Sequence, residues 1–375
     1  MKEIKICITF LLVGFISISY GQSNEQHAKE RIIEFPDIPG YKTLKCDFHQ
    51  HTVFSDGSVW PNIRVQEAIK DGLDAISITD HIEYQPHSAD IPHPDRNRSY
   101  HIAVEAAKGQ DLIVIKGSEI TRDMPPGHAN AIFLDDVNKL NVTDSIEAYR
   151  QAKQQGAFIF WNHPHWISHE KNGIARLTDT HLMLLEQGLL DGIEVVNNVT
   201  YSDEALQIAL DHNLAIMGTS DIHGLIDWQY DVPYGGHRPI TLVFAKERSL
   251  EGIKEALNER RTAAWFNNII IGREDHIKPL VMESMKVVKS SYREKSTVLQ
   301  VEIQNNSDAE YILENLSEYT LHGNTNLVTI APHTTTLLQV KTLEHKKEID
   351  LTFKVMNAVI APKTNLEMTL HVTVD

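Results

Sequence analysis

The chain is poor in cysteine, with 2 residues among 375, Cys7 and Cys46. Two cysteines cannot form the set of disulfides that holds small secreted domains together, so the fold must depend on a buried core. Basic residues are also scarce: 35 Lys and Arg stand against 51 Asp and Glu, a formal net charge of −16. This balance argues against broad electrostatic binding of nucleic acid or of an anionic membrane surface.

A short apolar run lies near the N-terminus, at residues 6–19, and Lys2 and Lys5 precede it. A run of about fourteen residues falls short of the roughly 20 that cross a bilayer, and it has the length of a signal-peptide core. Ser19 and Gly21 put small residues at a cleavage site before Gln22. We therefore expect residues 1–21 to be a signal peptide of a periplasmic or secreted bacterial protein, with no stable membrane anchor after cleavage.

Strand-like and helix-like segments alternate between residue 44 and about residue 268. The strand-like segments are 44–48, 74–79, 112–117, 129–134, 157–161, 192–196, 214–218 and 240–244, and the helix-like segments are 61–72, 144–155, 179–188, 203–213 and 250–259. Pro61 suits the first turn of a helix, and Asp144 and Asp203 suit N-caps. This alternation predicts an α/β fold with a parallel sheet, and seven or eight such units favour closure into a barrel.

The pattern changes after about residue 277. Short strand-like segments follow at 299–304, 326–330, 334–340, 349–355 and 366–374, separated by Asn, Asp, Gly and Pro. They predict a small C-terminal antiparallel β-sandwich. The expected organisation is a signal peptide at 1–21, an extension at 22–43, a barrel at 44–276 and the β-sandwich at 277–375.

Histidine is abundant, with 20 residues, and many histidines fall at the ends of the predicted strands. The first strand runs into Asp47-Phe48-His49-Gln50-His51-Thr52, where His49 and His51 point to the same side of an extended chain. Further nitrogen and oxygen donors follow other strands or open them: Asp56, Asp80-His81, Glu119, His128, His163 and Asp221-Ile222-His223. The carboxyl ends of the strands of an α/β barrel meet at one rim, so we expect these donors to converge.

Each donor alone has an ordinary explanation, because a histidine at a strand end is commonly solvated and an Asp or Glu there commonly caps a helix. Together, so many ionisable groups at one rim would repel each other and lose solvation unless cations were present. We therefore predict two or three divalent ions, Mn or Zn, with Fe as an alternative.

These motifs, taken in order, resemble those of the polymerase and histidinol phosphatase (PHP) superfamily. The quoted elements are Asp47-Phe48-His49-Gln50-His51-Thr52, Ser55-Asp56-Gly57, Thr79-Asp80-His81, Glu119, His128, Asn162-His163-Pro164 and Asp221-Ile222-His223. The resemblance spans about residues 44–268. It implies a distorted (β/α)7 barrel with a di- or trinuclear centre that hydrolyses phosphoesters.

The resemblance also implies how the ligands are shared. One metal would be held by His49, His51, Glu119 and Asp221, a second by Glu119, His128 and His163, and a third by Asp56, His81 and His223. Some members of the superfamily have His where this chain has Asp56, which leaves the filling of the third site open. The signal peptide and the C-terminal β-domain add a resemblance to secreted bacterial phosphodiesterases of this superfamily, including those that act on organophosphate diesters.

The expected reaction is attack of a metal-bridging hydroxide on the phosphorus of a small phosphodiester. His165, two residues beyond His163, is the candidate general acid, and an outer hydrogen-bonding role is the alternative. Arg122 is the candidate contact to the phosphate, and a solvated arginine is the alternative.

Two other functions stay open at this stage. A phosphomonoesterase could use the same metals, with Arg96, Arg98 and Arg122 as a cationic pocket. A catalytically idle, metal-containing surface protein could instead bind partners through its β-domain. Acidity and export both argue against a polynucleotide substrate.

Overall fold

A computed structural model of the chain describes residues 32–374. The predicted signal peptide and the first part of the predicted N-terminal extension therefore lie outside the described residues. Between residues 32 and 374, no helix is both long enough and apolar enough to cross a membrane.

The first part of the described chain alternates strands and helices. Its elements are β1 (Lys42–Asp47), α1 (Pro61–Lys70), β2 (Ala75–Ile78), α2 (Arg98–Ala106), β3 (Ile113–Ile120), β4 (Ala129–Ile132), α3 (Ser145–Gln154), β5 (Phe158–Trp161), α4 (Asp179–Glu186), β6 (Gly192–Asn197), β7 (Thr200–Tyr201), α5 (Asp203–Asp211), β8 (Ala215–Thr219), α6 (Ile226–Gln229), β9 (Ile240–Ala245), α7 (Leu250–Asn258), β10 (Thr262–Phe266), β11 (Ile269–Gly272) and α8 (Glu274–Ser284).

Strands β1, β2, β3, β4, β5, β6 and β8 are neighbours in that order. The segments that follow β1 and β8 also meet, because Gln50 and Ile222 form a parallel bridge and the His51 N–H donates to the Ile222 carbonyl at 3.0 Å. This contact joins the two ends of the series, so the predicted distorted seven-stranded barrel is confirmed.

The prediction that the sheet is parallel is wrong at two of the predicted strands. Strand β4 is antiparallel to both β3 and β5, and β9 is antiparallel to β1. The β3–β4 connection, residues 121–128, is shorter than the dozen or so residues that a parallel crossover needs, so the chain turns back on itself. This reversal brings the start of β4 to the rim where the parallel strands end.

The ends of the helices follow local chemistry. Pro61 opens α1, and the carboxylate of Asp144 accepts a backbone N–H of the first turn of α3, both as predicted. Asp203 is not the cap of α5: the hydroxyl of Ser202 takes that role, and Asp203 is the first helical residue. Helix α8 covers position 277, where the sequence pattern predicts the second domain to begin. Its internal Pro279 disfavours a helix, so the sequence pattern does not predict one here.

The C-terminal part consists of antiparallel strands, as predicted. They are β12 (Met285–Tyr292), β13 (Val298–Asn305), β14 (Tyr311–Asn315), β15 (Thr320–Leu321), β16 (Leu327–Ile330), β17 (Thr335–Lys341), β18 (Glu348–Ala361) and β19 (Thr364–Thr373). One sheet has the order β12-β13-β17-β15, and the other joins β16, β14, β18 and β19. Their inner faces share a core that includes Leu299, Val340 and Phe353.

The second sheet is not separate from the barrel. Strand β18 pairs in parallel with β11, with Ile270 opposite Ala358 and Ile271 opposite Val359. The same apolar core reaches Trp265 of β10. The C-terminal strands therefore continue the sheet of the barrel, which no local sequence pattern predicts.

Candidate metal centre

Seven of the nine predicted ligands line a cavity of about 310 Å³ at the rim where the parallel strands end, and His49 and His51 are buried next to them. His128 joins them because β4 runs in the reverse direction, so the residue before this strand lies at that rim. The wall of the cavity is formed by Asp56, His81, Glu119, His128, His163, Trp166, Asn197, Asn198, Val199, Thr200, Asp221 and His223.

The first group of donors converges tightly. The Nε2 atoms of His49 and His51 are 3.0 Å apart. Oδ1 of Asp221 lies 3.2 Å from Nε2 of His49 and 3.1 Å from Nε2 of His51. Oxygens of Glu119 lie 3.7 and 3.5 Å from the same two nitrogens. Ligand atoms around a tetrahedral ion with bonds of about 2.0–2.1 Å are separated by about 3.3 Å, so this spacing fits one metal ion.

Glu119 also faces a second group of donors. Its Oε1 lies 3.0 Å from Nδ1 of His128 and 3.5 Å from Nε2 of His163. The amide of Asn162 donates to the same oxygen at 2.7 Å and fixes the carboxylate. Glu119 is therefore placed to bridge two ions.

Asp56 is the centre of a third group. Its Oδ1 lies 3.1 Å from Nε2 of His223 and 3.5 Å from Nε2 of His81. Nδ1 of His51 is 3.6 Å from the same oxygen, so His51 lies between this group and the first. The structure thus brings all nine predicted ligands together.

Buried atoms without hydrogen bonds test whether a metal fits this centre. Oε2 of Glu119 and Oδ1 of Asp56 lie near imidazole nitrogens but form no hydrogen bond among the described residues, and neither does the buried Nδ1 of His163. Leaving several polar atoms at one place without hydrogen bonds is costly unless they bind something else. Nitrogen and oxygen donors without thiolates suit Zn, Mn or Fe, so the residues fit the predicted divalent centre.

The pKa shifts of the cluster also indicate a site for divalent cations. Burial alone would lower the pKa of His81, but the carboxylates of Glu119 and Asp56 outweigh it and raise that pKa to about 10. Burial and repulsion from neighbouring imidazoles lower the pKa of His51 to about 3. Burial would raise the pKa of Asp221, but His49 and His51 hold it below its usual range. Without metal, protonated imidazoles thus balance the negative charge of the carboxylates. Bound divalent cations would take over this role and displace the protons.

Sequence reasoning missed Glu194, which lies in the middle of β6 and is fully buried. His49 Nδ1–H donates to Glu194 Oε1 at 2.7 Å, and the Thr219 hydroxyl donates to the same oxygen at 2.6 Å. The other oxygen accepts from the backbone N–H of His163 at 2.6 Å and from the Asn197 amide at 2.8 Å. A lone Glu in an otherwise apolar strand was the available signal, because a buried carboxylate needs partners.

Two of the predicted ligands have left-handed backbones. His163 has φ 29° and Asp221 has φ 49°. Such conformations cost energy for residues other than glycine and persist where surrounding contacts enforce them. The carboxylate of Glu194 holds the N–H of His163, and the His49 carbonyl accepts the N–H of Asp221 at 2.9 Å. The backbone is therefore fixed at the positions that aim these two side chains.

His165 and Arg122 lie outside the cavity wall. Thr200 Oγ1 donates to the Asn197 carbonyl at 2.8 Å and so accepts from Nε2–H of His165, also at 2.8 Å. His165 therefore reaches the cavity through Thr200. Arg122 forms an ion pair with Glu83 and donates to the Val142 carbonyl at 2.7 Å. The catalytic roles of His165 and Arg122 stay predictions.

The other arginines of the predicted cationic pocket are also bound elsewhere. Arg96 donates to the Gln85 side chain at 2.6 Å, and Arg98 donates to the Pro92 carbonyl at 3.0 Å. Among the described residues that line the cavity, none is Lys or Arg.

Comparison with known proteins places this fold and site in a class. A PHP-domain model matches residues 47–223, and an Ig-like domain model matches residues 285–371. The class is thus a barrel with the fold of PHP-like metal-dependent phosphoesterases, followed by an Ig-like domain.

A solved structure from Bacteroides vulgatus shares both domains. It is described as a two-domain protein containing a predicted PHP-like metal-dependent phosphoesterase. The two chains are 46% identical with a TM-score of 0.86, and the match covers 91% of this chain and 98% of the other. The chain therefore belongs to the PHP family.

Two further structures are more distant. A candidate metal-dependent phosphoesterase from Bifidobacterium adolescentis is 20% identical with a TM-score of 0.38, covering 48% of this chain and 88% of that one. PsfC from Pseudomonas syringae is 17% identical with a TM-score of 0.41, covering 64% and 96%. A search of curated proteins finds no match.

Proposed function

We propose that the protein is a secreted, metal-dependent phosphodiesterase that hydrolyses small phosphodiesters. The observation that supports a diester is the wall of the metal cavity, where no described residue is Lys or Arg. A phosphomonoester carries nearly two negative charges at neutral pH, whereas a diester carries one. A site whose positive charge comes from its metal ions alone suits the singly charged substrate better.

The ions that we propose are two or three divalent cations, Mn or Zn, with Fe as the alternative. The first would be held by His49, His51, Asp221 and Glu119, and the two further groups lie around Glu119 and Asp56. Divalent ions at such a site lower the pKa of water and neutralise negative charge on a phosphoryl group.

The side chains of the cavity supply orientation. Asn197, Asn198 and Thr200 contribute polar groups to the wall, and Trp166, 42% exposed, contributes an aromatic surface. Burial lowers the pKa of His165, so its imidazole is neutral at pH 7. A neutral imidazole is a poor acid, so we expect esters with acidic leaving groups to react fastest and Thr200 to mediate any proton transfer from His165.

The test uses metal-loaded protein and two substrates with the same leaving group, a p-nitrophenyl phosphodiester and p-nitrophenyl phosphate. We expect turnover that a chelator abolishes and that favours the diester. His163→Ala should abolish it without unfolding the protein, whereas His212→Ala, at an exposed position after α5, should not change it. Preference for the monoester would favour a phosphatase. Stoichiometric metal without turnover of either substrate would favour an idle binding protein.

Export is a separate part of the proposal. We propose that the protein is periplasmic or secreted, that it keeps no membrane anchor, and that its partner is a small phosphodiester rather than a polynucleotide. Expression in a bacterial host and mass spectrometry of the periplasmic fraction should give a chain that begins at Gln22. An uncleaved chain in the membrane fraction would contradict this.

A further inference from the structure

A second cavity, of about 410 Å³, lies beside the metal cavity. Its walls include Val199, Tyr230, Asp231, Phe266 and Asn267. It occupies the same rim of the barrel, because β10 ends at Phe266 and the antiparallel β9 begins just after His237.

The two cavities share one wall. Val199 lines both of them, and it lies in the turn between β6 and β7 with Asn198. On the far side of this turn, the Gln229 amide donates to Oδ1 of Asn198 at 2.9 Å. Val199 is 62% exposed. The two cavities therefore adjoin at Val199, within reach of the two ends of one substrate molecule.

The charges of the second cavity exclude an anionic ligand. Asp231 contributes a carboxylate, and none of the described lining residues is Lys or Arg. His237 does not supply positive charge, because its Nδ1–H donates to the Arg238 carbonyl at 3.0 Å and its Nε2 accepts the N–H of Asn268 at 3.1 Å. A second phosphate or a carboxylate would meet repulsion from Asp231 without a compensating cation.

The polar groups of this cavity are available to a ligand. Within residues 32–374, the side chains of Asp231 and Asn267 form neither a hydrogen bond nor an ion pair. A carboxylate accepts hydrogen bonds, and a carboxamide both donates and accepts them, so together they match hydroxyl groups. Phe266, partly buried, adds an apolar surface of the kind that ligand pockets combine with a few polar groups.

The walls are held in place before any ligand arrives. A Cβ on Gly236 would lie 1.8 Å from the Tyr230 carbonyl oxygen, so this tight loop requires glycine. The opposite turn is bound by the Ig-like domain, where Asn357 donates to the Asn268 carbonyl at 2.7 Å. A preformed cavity loses little conformational entropy when it binds.

We propose that the second cavity is the subsite for one ester group of the substrate, and that this group is neutral and polyhydroxylated, as a polyol or a sugar is. This inference rests on the proposed phosphodiesterase function and names its substrate class. Asp231 and Asn267 recognise the hydroxyl groups, and the Ig-like domain fixes the turn that carries Asn267.

Two matched substrates test the subsite: 4,5-dihydroxypentyl p-nitrophenyl phosphate and pentyl p-nitrophenyl phosphate. They share the leaving group and differ only in the two hydroxyls, and neither hydroxyl can displace p-nitrophenolate by closing a five- or six-membered ring on phosphorus. We expect kcat/KM to be about tenfold higher for the dihydroxypentyl ester, since a hydrogen bond to a charged group contributes about that factor. Asp231→Ala should remove the preference, and Asp211→Ala, at the exposed end of α5, should preserve it.

The outcomes separate the two proposals. Equal kcat/KM for both esters in the wild-type protein, or a preference that survives in both Asp231→Ala and Asn267→Ala, would overturn the subsite and leave the phosphodiesterase intact. If neither ester is hydrolysed, the proposed function fails, and calorimetric titration of both esters into metal-loaded protein decides the subsite. Tighter binding of the dihydroxypentyl ester that Asp231→Ala abolishes would support it, and equal affinities would overturn it.

Discussion

Oε1 of Glu194 lies 2.7 Å from Nδ1 of His49, and both side chains are fully buried. Glu194 belongs to β6 and His49 follows β1, so this hydrogen bond links segments of two strands that do not pair with each other. The hydrogen bond places the proton of His49 on Nδ1 and leaves the lone pair of Nε2 facing His51 and Asp221. Carboxylates that orient metal-binding imidazoles in this way strengthen them as ligands.

Glu194→Gln should therefore weaken metal binding by about 10- to 100-fold, because the amide oxygen can still accept from Nδ1–H of His49 but carries no negative charge to strengthen the imidazole as a ligand. Competition with a chelator of known affinity measures the change. Glu186→Gln, exposed at the end of α4, is the matched control and should bind metal like the wild type. Unchanged affinity together with a lower free energy of unfolding would reduce Glu194 to a structural role.

Glu119→Gln should remove at least one ion per chain. The carboxylate of Glu119 faces the imidazoles of His49, His51, His81, His128 and His163 at 2.7–3.7 Å. Replacing it removes a negative charge and one bridging oxygen from the centre, so two neighbouring ions lose a common ligand. Elemental analysis of purified protein gives the metal content, and full wild-type stoichiometry in this variant would contradict the bridging arrangement.

Arg122→Gln tests whether this arginine acts on substrate. Its ion pair with Glu83 and its hydrogen bond to Val142 lead us to expect a loss of about 1–3 kcal/mol in the free energy of unfolding. We expect kcat and KM on the diester to change by less than about threefold, since the guanidinium does not line the cavity. A large fall in kcat with unchanged unfolding would instead support the catalytic role that the sequence predicts.

His181 should make stability depend on pH. Burial lowers its pKa to about 4, its ring stacks on Trp161 at 3.9 Å, and Nε2–H donates to the Pro126 carbonyl at 2.7 Å. Between the unfolded pKa of about 6.5 and the folded value, the unfolded chain binds more protons, so stability falls as pH falls. From pH 7 to pH 5 this group contributes a loss of about 2 kcal/mol.

The measurement compares urea unfolding of wild-type and His181→Gln protein at pH 7 and pH 5, with a chelator in every sample. The variant should lose less stability on acidification than the wild type, because glutamine does not titrate in this range. An identical pH dependence in both proteins would show that His181 is not the group responsible.

Much of the fold follows from local sequence. The alternation of strands and helices depends on the periodicity of apolar residues, which a single segment displays by itself. The placement of His49 and His51 on one side follows from the geometry of an extended chain, and Pro61 and Asp144 act through their own helix turns. Eight of the nine candidate metal ligands lie within a few residues of a predicted strand end, and Asp56 is the exception, eight residues after the first predicted strand.

Other features depend on how distant segments meet. Strand β4 reverses because its connection is short, and that reversal brings His128 to Glu119. The hydrogen bond between Glu194 and His49 and the ion pair between Arg122 and Glu83 form only once the barrel has formed. The second cavity likewise needs the turns after β6 and β10 to lie side by side, with Asn357 of the Ig-like domain holding one of them.

The sequence by itself determined the class of fold and the kinds of donor at the candidate metal centre, because both depend on short segments whose geometry the local backbone sets. The tertiary structure decided which carboxylate orients which imidazole, which arginines are already paired, and where a second cavity opens. Those outcomes depend on contacts between residues far apart in the chain, and only the closed barrel and its junction with the C-terminal strands fix them.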